Sequence, residues 1–319
     1  MSRTTVICAS HSPLLYCYAK EPADWAAIQA AYSERREQVE AFDPELVFAF
    51  GADHFNGFFM NLMPAFCIGS KAQAVGDVGG FAGELDVPAE LAEAAVNYLR
   101  SEDVDPAMSA DMTVDHGFSQ TISVMTGSLG ARPVIPVFIN CMAQPYVPFR
   151  RSRLMGAALG RFAATTGKRV LFLASGGMSH HPRRYYPELG DGPDEVTQWQ
   201  LSGGKNERSL SPGQWLDRLL SMHHEGAEMI VRGERTPKDM FLNEESDRRF
   251  LDLLTSGKLE RFDDWRPEDL IREGGIGSME LHTWIAASAA HLAAGGESVR
   301  LDYYSIAPEI GISVGIAHA

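Results

Sequence analysis

Three short, continuous apolar runs constrain the fold of this chain more than any other feature. They cover residues 6–9, 46–50 and 170–174, and polar residues or glycine bound each of them. Runs of this length, without alternation of polar and apolar residues, are typical of strands in a sheet that helices cover on both faces. The pattern therefore predicts an α/β fold built around a buried, largely parallel sheet.

Helical and further strand-like patterns alternate with these runs. The predicted helices cover residues 25–41, the stretch after Pro88, residues 116–125 and residues 151–166. Residues 132–140 contain two prolines and predict an edge or irregular strand, residues 303–315 predict a returning strand, and the glycine-rich residues 69–83 predict a loop. Together these elements predict a three-layer α/β/α fold with a central mixed sheet, in one domain over residues 1–319.

The second half of the chain is expected to add a helical elaboration to this core. A polar, glycine-rich segment at residues 187–206 predicts a surface loop or a mobile lid. Further helical segments follow, and the last is expected to begin near Ser278, which could cap it. In that helix Leu281, Ile285 and Ala289 recur at helical spacing, which predicts a single core-facing stripe.

The composition restricts the class of partner. The 319 residues include 28 Lys and Arg against 42 Asp and Glu, which gives a formal net charge of -14. An acidic surface repels nucleic acid and anionic membranes, so neither partner is expected. No apolar run reaches membrane-spanning length and no secretory signal is recognisable, which indicates a cytoplasmic protein. The four cysteines form no CxxC pair, which disfavours a disulfide framework or a cysteine-rich zinc site.

Four histidines lie in small, polar, loop-like settings. They are His11, His54, His116 and His180. His11, His54 and His180 follow the three apolar runs and so lie at the carboxyl ends of predicted strands. In open α/β sheets ligands and catalytic groups gather at this edge, so residues far apart in sequence can meet there. A cluster of imidazoles at that edge predicts metal binding, proton transfer or both.

Two histidines and one carboxylate on one face of a metal are typical of non-haem ferrous enzymes that activate oxygen. In this hypothesis His11 and His54 supply the imidazoles. Glu280 is the preferred carboxylate, because it lies near the start of the last helix and can be aimed into a cleft. Asp53 is an alternative ligand. Asp53 and Asp115, which each precede a histidine, are also candidates for orienting the imidazole rings.

The segments around these histidines resemble those of the type III extradiol catechol dioxygenases, and the resemblance extends over nearly the whole chain. The segments that carry it are residues 10–13 (SHSP), 52–59 (ADHFNGFF), 114–118 (VDHGF) and 173–180 (LASGGMSH). The resemblance implies an α/β enzyme that binds Fe(II) through His11, His54 and Glu280. Closed assemblies are common for enzymes of this kind, so a homo-oligomer is expected as well.

The same resemblance implies the remaining site residues. His116 and His180 would form the acid–base pair, with His180 as the base that accepts a catechol proton and His116 as the acid. Asp115 and Pro182 match positions that are associated with the site in this family. The implied substrates are dioxygen and a catechol, which the enzyme would open to a semialdehyde.

A catechol with a carboxylated side chain is the expected organic substrate. The resemblance points to a propionate side chain, with the cinnamate counterpart as a second candidate. Such a substrate needs a cation, and guanidinium groups bind carboxylates through two hydrogen bonds. Arg183 and Arg184 are the candidates because they closely follow His180, and Arg150 and Arg151 are the alternatives.

Two other classes of function are compatible with the same histidines. A zinc-dependent hydrolase could use them, because zinc also accepts imidazole and carboxylate ligands. Metal content and oxygen consumption would separate it from an iron enzyme. A non-catalytic relative that binds a metal or a partner is the second alternative, but the presence of both His116 and His180 argues against it.

Overall fold

The computed structural model describes residues 3–319, which form a large and a small β-sheet surrounded by helices. The strands are β1 (Thr4–Ala9), β2 (Leu46–Gly51), β3 (Phe66–Gly69), β4 (Ala72–Ala74), β5 (Gly83–Glu84), β6 (Ala107–Ser109), β7 (Met112–Val114), β8 (Val134–Ile139), β9 (Val170–Ser175), β10 (Arg300–Ala307) and β11 (Ile312–His318). The helices are α1 (Leu14–Cys17), α2 (Trp25–Phe42), α3 (Ala89–Ser101), α4 (His116–Thr126), α5 (Phe149–Thr165), α6 (Asp194–Ser202), α7 (Pro212–Val231), α8 (Glu244–Thr255), α9 (Pro267–Gly274) and α10 (Leu281–Ala293). Short 3₁₀ turns cover Pro182–Arg184, Leu259–Asp264, Ile276–Glu280 and Pro308–Ile310.

Parallel strands form the centre of the large sheet. Its strand order is β10-β11-β1-β9-β2-β8-β3-β6, and β5-β4-β7 form the small sheet. The neighbours β1, β9, β2 and β8 run parallel, whereas β11 and β3 run antiparallel to β1 and β8. The predicted mixed sheet is confirmed. The three apolar runs of the sequence are the three central strands β1, β2 and β9, so the loops that follow them open at the same edge.

The two faces of the large sheet pack against different helices. Because side chains alternate along a strand, Val6 and Phe48 face one apolar cluster and Ile7 and Val47 face another. The first cluster includes residues of α3, α5 and α10, and the second includes residues of α2 and α4. Helices therefore cover both sides of the sheet, and the predicted α/β fold is confirmed.

Helix α10 is buried on all sides, so the prediction of a single apolar stripe was wrong. Every residue from Leu281 to His291 is buried. Glycines of α5 allow the two helices to approach closely, since a Cβ at Gly156 would lie 2.0 Å from the carbonyl oxygen of Ala286. A helix held between a sheet and a neighbouring helix at this distance has no polar face. The end of the same helix contains His291, which is packed there.

The strand formed by residues 134–139 lies in the interior of the sheet, not at its edge. Strand β8 pairs with β2 on one side and β3 on the other. Its pairing with β3 runs from Val137 to Ile139, so Pro136 lies outside that ladder. A proline is tolerated within an inner strand where no partner requires its missing N–H.

Four further expectations differ from the structure. Residues 69–83 contain the short strand β4 and the start of β5, and residues 187–206 contain helix α6, whose Trp199 is buried. The C-terminal stretch forms two antiparallel strands, β10 and β11, rather than one. Ser278 lies within a 3₁₀ turn and donates its hydroxyl to the carbonyl of Gly275, so it does not cap α10. Among residues 3–319, no helix combines the length and apolar character needed to cross a membrane.

Candidate active site

Loops at the carboxyl edge of the large sheet bring the predicted site residues together. His11, His54 and His180 follow β1, β2 and β9, and they line one cavity with His116, the first residue of α4. Glu280 reaches the same place from the junction between a 3₁₀ turn and α10. All five side chains belong to residues that are 9% exposed or less. Residues that are up to 269 positions apart in sequence therefore form one buried cluster.

Glu280 lies between the imidazoles of His11 and His54. Its Oε1 is 3.0 Å from Nε2 of His54 and 3.4 Å from Nε2 of His11. Adjacent ligand atoms that are each about 2.1 Å from a metal lie about 3 Å apart. The other carboxylate oxygen, Oε2, accepts a hydrogen bond from the backbone N–H of Gly177 at 2.6 Å, which leaves Oε1 for a cation. The donor atoms and their spacing therefore fit a metal ion.

The outer nitrogens of the two imidazoles are engaged by other groups. Nδ1 of His11 lies 2.9 Å from the hydroxyl of Ser175, and Nδ1 of His54 lies 3.2 Å from Oδ2 of Asp115. Partners of this kind fix the ring orientation and the tautomer of metal-binding histidines. In both residues Nε2 is therefore the nitrogen that faces Glu280.

The charges around Glu280 favour a cation between it and the imidazoles. Burial alone would raise the pKa of Glu280, but His11 and His54 outweigh burial and hold that pKa well below its ordinary value. Burial alone would lower the pKa of His54, but Asp115 and Glu280 raise it well above its ordinary value. Buried groups that stabilise positive charge in this way suit a metal ion.

Two other groups of residues have donor atoms close enough to hold a metal. They are His11, His54 and His116, and Asp77, Asp115 and His116, with ligand atoms within 4.8 Å of one another in each group. In the second group, however, N–H donors already occupy the carboxylates. Asp77 accepts from the backbone N–H of His116, and Asp115 accepts from the backbone N–H of His54. Glu280 is therefore the better candidate for a carboxylate ligand.

His180 presents one nitrogen to the cavity as an acceptor. Its Nδ1 lies 2.8 Å from the carbonyl oxygen of Met178, which can only accept, so Nδ1 carries the hydrogen and Nε2 a lone pair. Burial lowers the pKa of His180 and keeps the ring neutral. A Cβ at Gly277 would lie 2.2 Å from this ring, so glycine makes room for it. Pro182, two residues further along, also lines the cavity. A neutral imidazole in this position can act as a base.

His116 forms a short hydrogen bond with Asp77. Its Nδ1 lies 2.5 Å from Oδ2 of Asp77. Burial and the neighbouring His54 lower the pKa of His116, whereas burial and Asp115 raise the pKa of Asp77. The imidazoles of His116 and His54 are stacked with ring centroids 4.2 Å apart. These shifts favour a neutral imidazole beside a protonated carboxyl, and such a pair can donate a proton to a group in the cavity.

Asp115 and Asp53 contact different groups from those that their sequence positions suggest. Asp115 orients His54 rather than His116, its neighbour in sequence. Asp53 accepts hydrogen bonds from the backbone N–H groups of residues 56–58. It forms no hydrogen bond with the imidazole of His54 or of His116 among the described residues. Adjacent side chains often point apart, so the residue before a histidine need not orient it. Asp53 shapes the loop after β2.

The structure does not bring the predicted substrate-binding arginines into the cavity. Those arginines are Arg183, Arg184 and the alternatives Arg150 and Arg151. Arg183 pairs with Glu188 at 2.9 Å, and Arg184 pairs with Glu225. The alternatives are exposed at the start of α5. Each of the two preferred guanidinium groups is thus engaged by a carboxylate of the chain itself.

Sequence reasoning missed several residues of the cavity. They are Tyr185, Tyr186, His223 and Arg235, which line the cavity, and Asp77, which contacts the lining residue His116. Asp77 had one signal, since it is an isolated carboxylate in a glycine-rich segment. The others come from the 3₁₀ turn after His180 and from the region of α7, and no local pattern marks them. The hydroxyl of Tyr186 is buried without a hydrogen-bond partner among the described residues, and its ring centroid lies 5.2 Å from that of His54.

Comparison with known proteins identifies the family of enzymes that contains this cluster. A family model described as the catalytic LigB subunit of aromatic ring-opening dioxygenase matches residues 5–315. The chain therefore belongs to this family, and its histidine-rich cluster lies in a ring-opening dioxygenase.

Curated relatives within the family carry a more particular description. The 2,3-dihydroxyphenylpropionate/2,3-dihydroxicinnamic acid 1,2-dioxygenase of Cupriavidus pinatubonensis is 41% identical over 312 residues, which cover 98% of this chain and 96% of the relative. The protein of the same description from Rhodococcus rhodochrous is 42% identical over 301 residues, which cover 94% and 92% of the two chains. The one from Paraburkholderia xenovorans is 41% identical over 98% of this chain and 96% of the relative.

Proposed function

We propose that this dioxygenase uses Fe(II) to cleave 3-(2,3-dihydroxyphenyl)propionate beside its diol, with 2,3-dihydroxycinnamate as a second candidate substrate. Both atoms of dioxygen enter the product, which is a ring-opened semialdehyde. The observation that carries the proposal is the convergence of Glu280, His11 and His54 next to two further imidazoles. The substrates named for the relatives support the choice of catechol.

His11, His54 and Glu280 are the proposed ligands of the iron. Two imidazoles and a carboxylate leave other positions around a metal open for substrate and oxygen. When bound, ferrous iron supplies the one-electron chemistry that lets dioxygen react with the ring. The hydrogen bonds of Ser175 and Asp115 to the outer nitrogens hold the two imidazoles in a fixed orientation.

His180 is the proposed base. A catechol binds a cation more tightly once it has lost a hydroxyl proton, and Nε2 of His180 has the free lone pair that can accept it. The hydrogen bond to the Met178 carbonyl fixes the tautomer before the substrate arrives. A positioned base of this kind contributes roughly 10²–10⁴-fold in rate.

His116 is the proposed acid, and Asp77, which contacts its Nδ1, acts together with it. When the bond between the two oxygen atoms breaks, the departing oxygen needs a proton. The raised pKa of Asp77 favours a protonated carboxyl that donates to Nδ1 of His116, so that Nε2 carries the hydrogen of the neutral imidazole. Nε2 gives this proton to the departing oxygen, and Nδ1 takes the proton of Asp77 in its place. Asp77 thus positions the acid rather than contacting the substrate.

Domain organisation, localisation and assembly are part of the same proposal. We propose that the enzyme consists of one catalytic domain over residues 1–319, works in the cytoplasm and assembles as a homo-oligomer. The core clusters that include residues from both halves of the chain support a single domain. Closed assemblies of identical subunits are common among soluble enzymes.

Reconstitution with two metals tests the proposal against a zinc hydrolase. Protein that is stripped of metal and loaded anaerobically with Fe²⁺ is expected to consume dioxygen in equal amount to added 3-(2,3-dihydroxyphenyl)propionate, with a yellow product. The same protein loaded with Zn²⁺ is expected to consume none. An oxygen electrode and visible absorbance measure both.

Two outcomes of this experiment would contradict the proposal. Turnover by the zinc-loaded protein without oxygen consumption would favour the hydrolase. Tight metal binding without turnover by either form would favour a non-catalytic relative.

A further inference from the structure

Arg235 is a buried cation in the wall of the cavity that contains the four histidines. The residue is 9% exposed and follows α7 in the chain. Its side chain donates one hydrogen bond, from Nη1 to the hydroxyl of Tyr185 at 2.6 Å. Among residues 3–319, no carboxylate lies within 4.0 Å of its guanidinium nitrogens. The guanidinium thus forms no ion pair with the described residues.

A buried charge without a counter-charge is unfavourable, and buried arginines are normally paired. Arg183 and Arg184, which follow the cavity residue Pro182 in the chain, both have glutamate partners. The missing anion next to Arg235 is therefore expected from a ligand. A carboxylate fits best, because the planar guanidinium can donate two parallel hydrogen bonds to it.

The surroundings of Arg235 hold its guanidinium in place without neutralising it. Its Cζ lies 5.2 Å from the ring centroid of Tyr185, and that ring stacks on His223 with a centroid distance of 3.7 Å. Burial lowers the pKa of His223 to about 3, so this neighbour is neutral. A nearby acidic group is Asp239, which interacts with the charge of Arg235 without forming an ion pair. Asp239 is exposed, and its carboxylate accepts hydrogen bonds from the N–H and hydroxyl of Thr236.

Aromatic rings connect Arg235 to the proposed metal site. The ring centroid of Tyr186 lies 5.2 Å from that of His54, and the ring centroid of Tyr185 lies 6.4 Å from that of Tyr186. The guanidinium in turn contacts Tyr185. Rings on this side of the cavity suit an aromatic substrate, with its polar side chain directed toward the arginine.

We propose that Arg235 binds the side-chain carboxylate of the substrate and selects carboxylated catechols over neutral ones. This inference rests on the proposed function, because it takes the diol end of the substrate to lie at the metal ligands. It assigns to Arg235 the role that the sequence suggested for Arg183 and Arg184.

Steady-state kinetics with a matched pair of substrates test the assignment. The pair is 3-(2,3-dihydroxyphenyl)propionate and 3-propylcatechol, which has a similar side chain without the charge. Arg235→Gln is expected to lower kcat/KM for the propionate by about 30-fold or more, chiefly through KM, and to leave 3-propylcatechol within about twofold. Arg235→Lys is expected to be intermediate, since it keeps the charge without the planar fork.

Arg232→Gln is the control for a nearby charge. Arg232 is exposed on the same segment and pairs with Glu234 at 2.9 Å, so this variant should keep the wild-type preference. Equal losses on both substrates in Arg235→Gln would show a structural role and overturn the assignment. An unchanged preference in both Arg235 variants would overturn it as well.

Equilibrium binding separates this inference from the proposed function. Calorimetry with the full-length, metal-free protein without oxygen is expected to show weaker binding of the propionate to Arg235→Gln, with 3-propylcatechol unaffected. If the wild-type protein cleaves neither catechol, the proposed function fails, and the binding result alone decides the role of Arg235. Equal affinity of wild type and both Arg235 variants for the propionate would reject that role.

Discussion

Replacing Glu280 by glutamine is expected to abolish tight iron binding and ring cleavage. The amide keeps the size of the side chain but removes the negative charge next to the Nε2 atoms of His11 and His54. Changing only a hydrogen-bond partner of a metal ligand costs about 10–100-fold in affinity, so loss of the charged ligand should exceed about 100-fold. Metal content after dialysis and oxygen uptake measure the two effects.

Glu297→Gln is the matched control for this substitution. Glu297 is exposed and lies in the loop between α10 and β10, so the same change there should leave iron content and activity at the wild-type level. Circular dichroism should show that both variants are folded. A Glu280→Gln protein that retains a full equivalent of iron would remove Glu280 from the ligand set and favour the three-histidine group.

Replacing His180 by glutamine is expected to lower kcat by roughly 10²–10⁴-fold while the protein keeps its iron. Glutamine has no nitrogen that can accept a proton at neutral pH, so the catechol hydroxyl loses its base. Iron should remain because the proposed ligands are His11, His54 and Glu280. Oxygen uptake under saturating substrate gives kcat, and metal analysis of the same sample gives the iron content.

His224→Gln provides the comparison for this variant. His224 is exposed on α7 and does not line the cavity, unlike its neighbour His223, so its replacement should leave kcat unchanged. Loss of iron from the His180 variant would make His180 a ligand instead of a base. An unchanged kcat would exclude it from proton transfer.

The core of the fold was predictable because it depends on local patterns. The continuous apolar runs at residues 46–50 and 170–174 are short and bounded by polar residues or glycine, which favours a strand buried on both faces, and both are central strands. The position of β8 was not predictable from its prolines. Pro136 is accommodated inside the sheet only because its pairing with β3 begins at the next residue. That register is a property of two strands and not of either sequence alone.

The site was predictable to the extent that strand ends converge. His11, His54 and His180 follow central strands, so the topology of an α/β sheet brings them together. Glu280 comes from a helix on one face of the sheet, and its selection depended on the resemblance as well as on its place near a helix start. Asp77 lies in a glycine-rich stretch without helical or strand periodicity, so the sequence does not predict where its side chain points.

Proximity in sequence was a poor guide to the substrate side of the cavity. Arg183 and Arg184 follow His180 closely, yet both pair with glutamates instead of lining the cavity. Arg235 is 55 residues beyond His180 and reaches the cavity through the packing of the chain after α7. Tertiary packing of this kind leaves no periodic trace in the sequence.

Isotope labelling of the product tests the central claim most directly. Iron-loaded protein and 3-(2,3-dihydroxyphenyl)propionate are combined under ¹⁸O₂, and the ring-opened product is trapped quickly and weighed by mass spectrometry. The account predicts a product in which both atoms of one dioxygen molecule are incorporated, with the ring opened beside the diol. An unlabelled product, or cleavage between the two hydroxyl-bearing carbons, would contradict it.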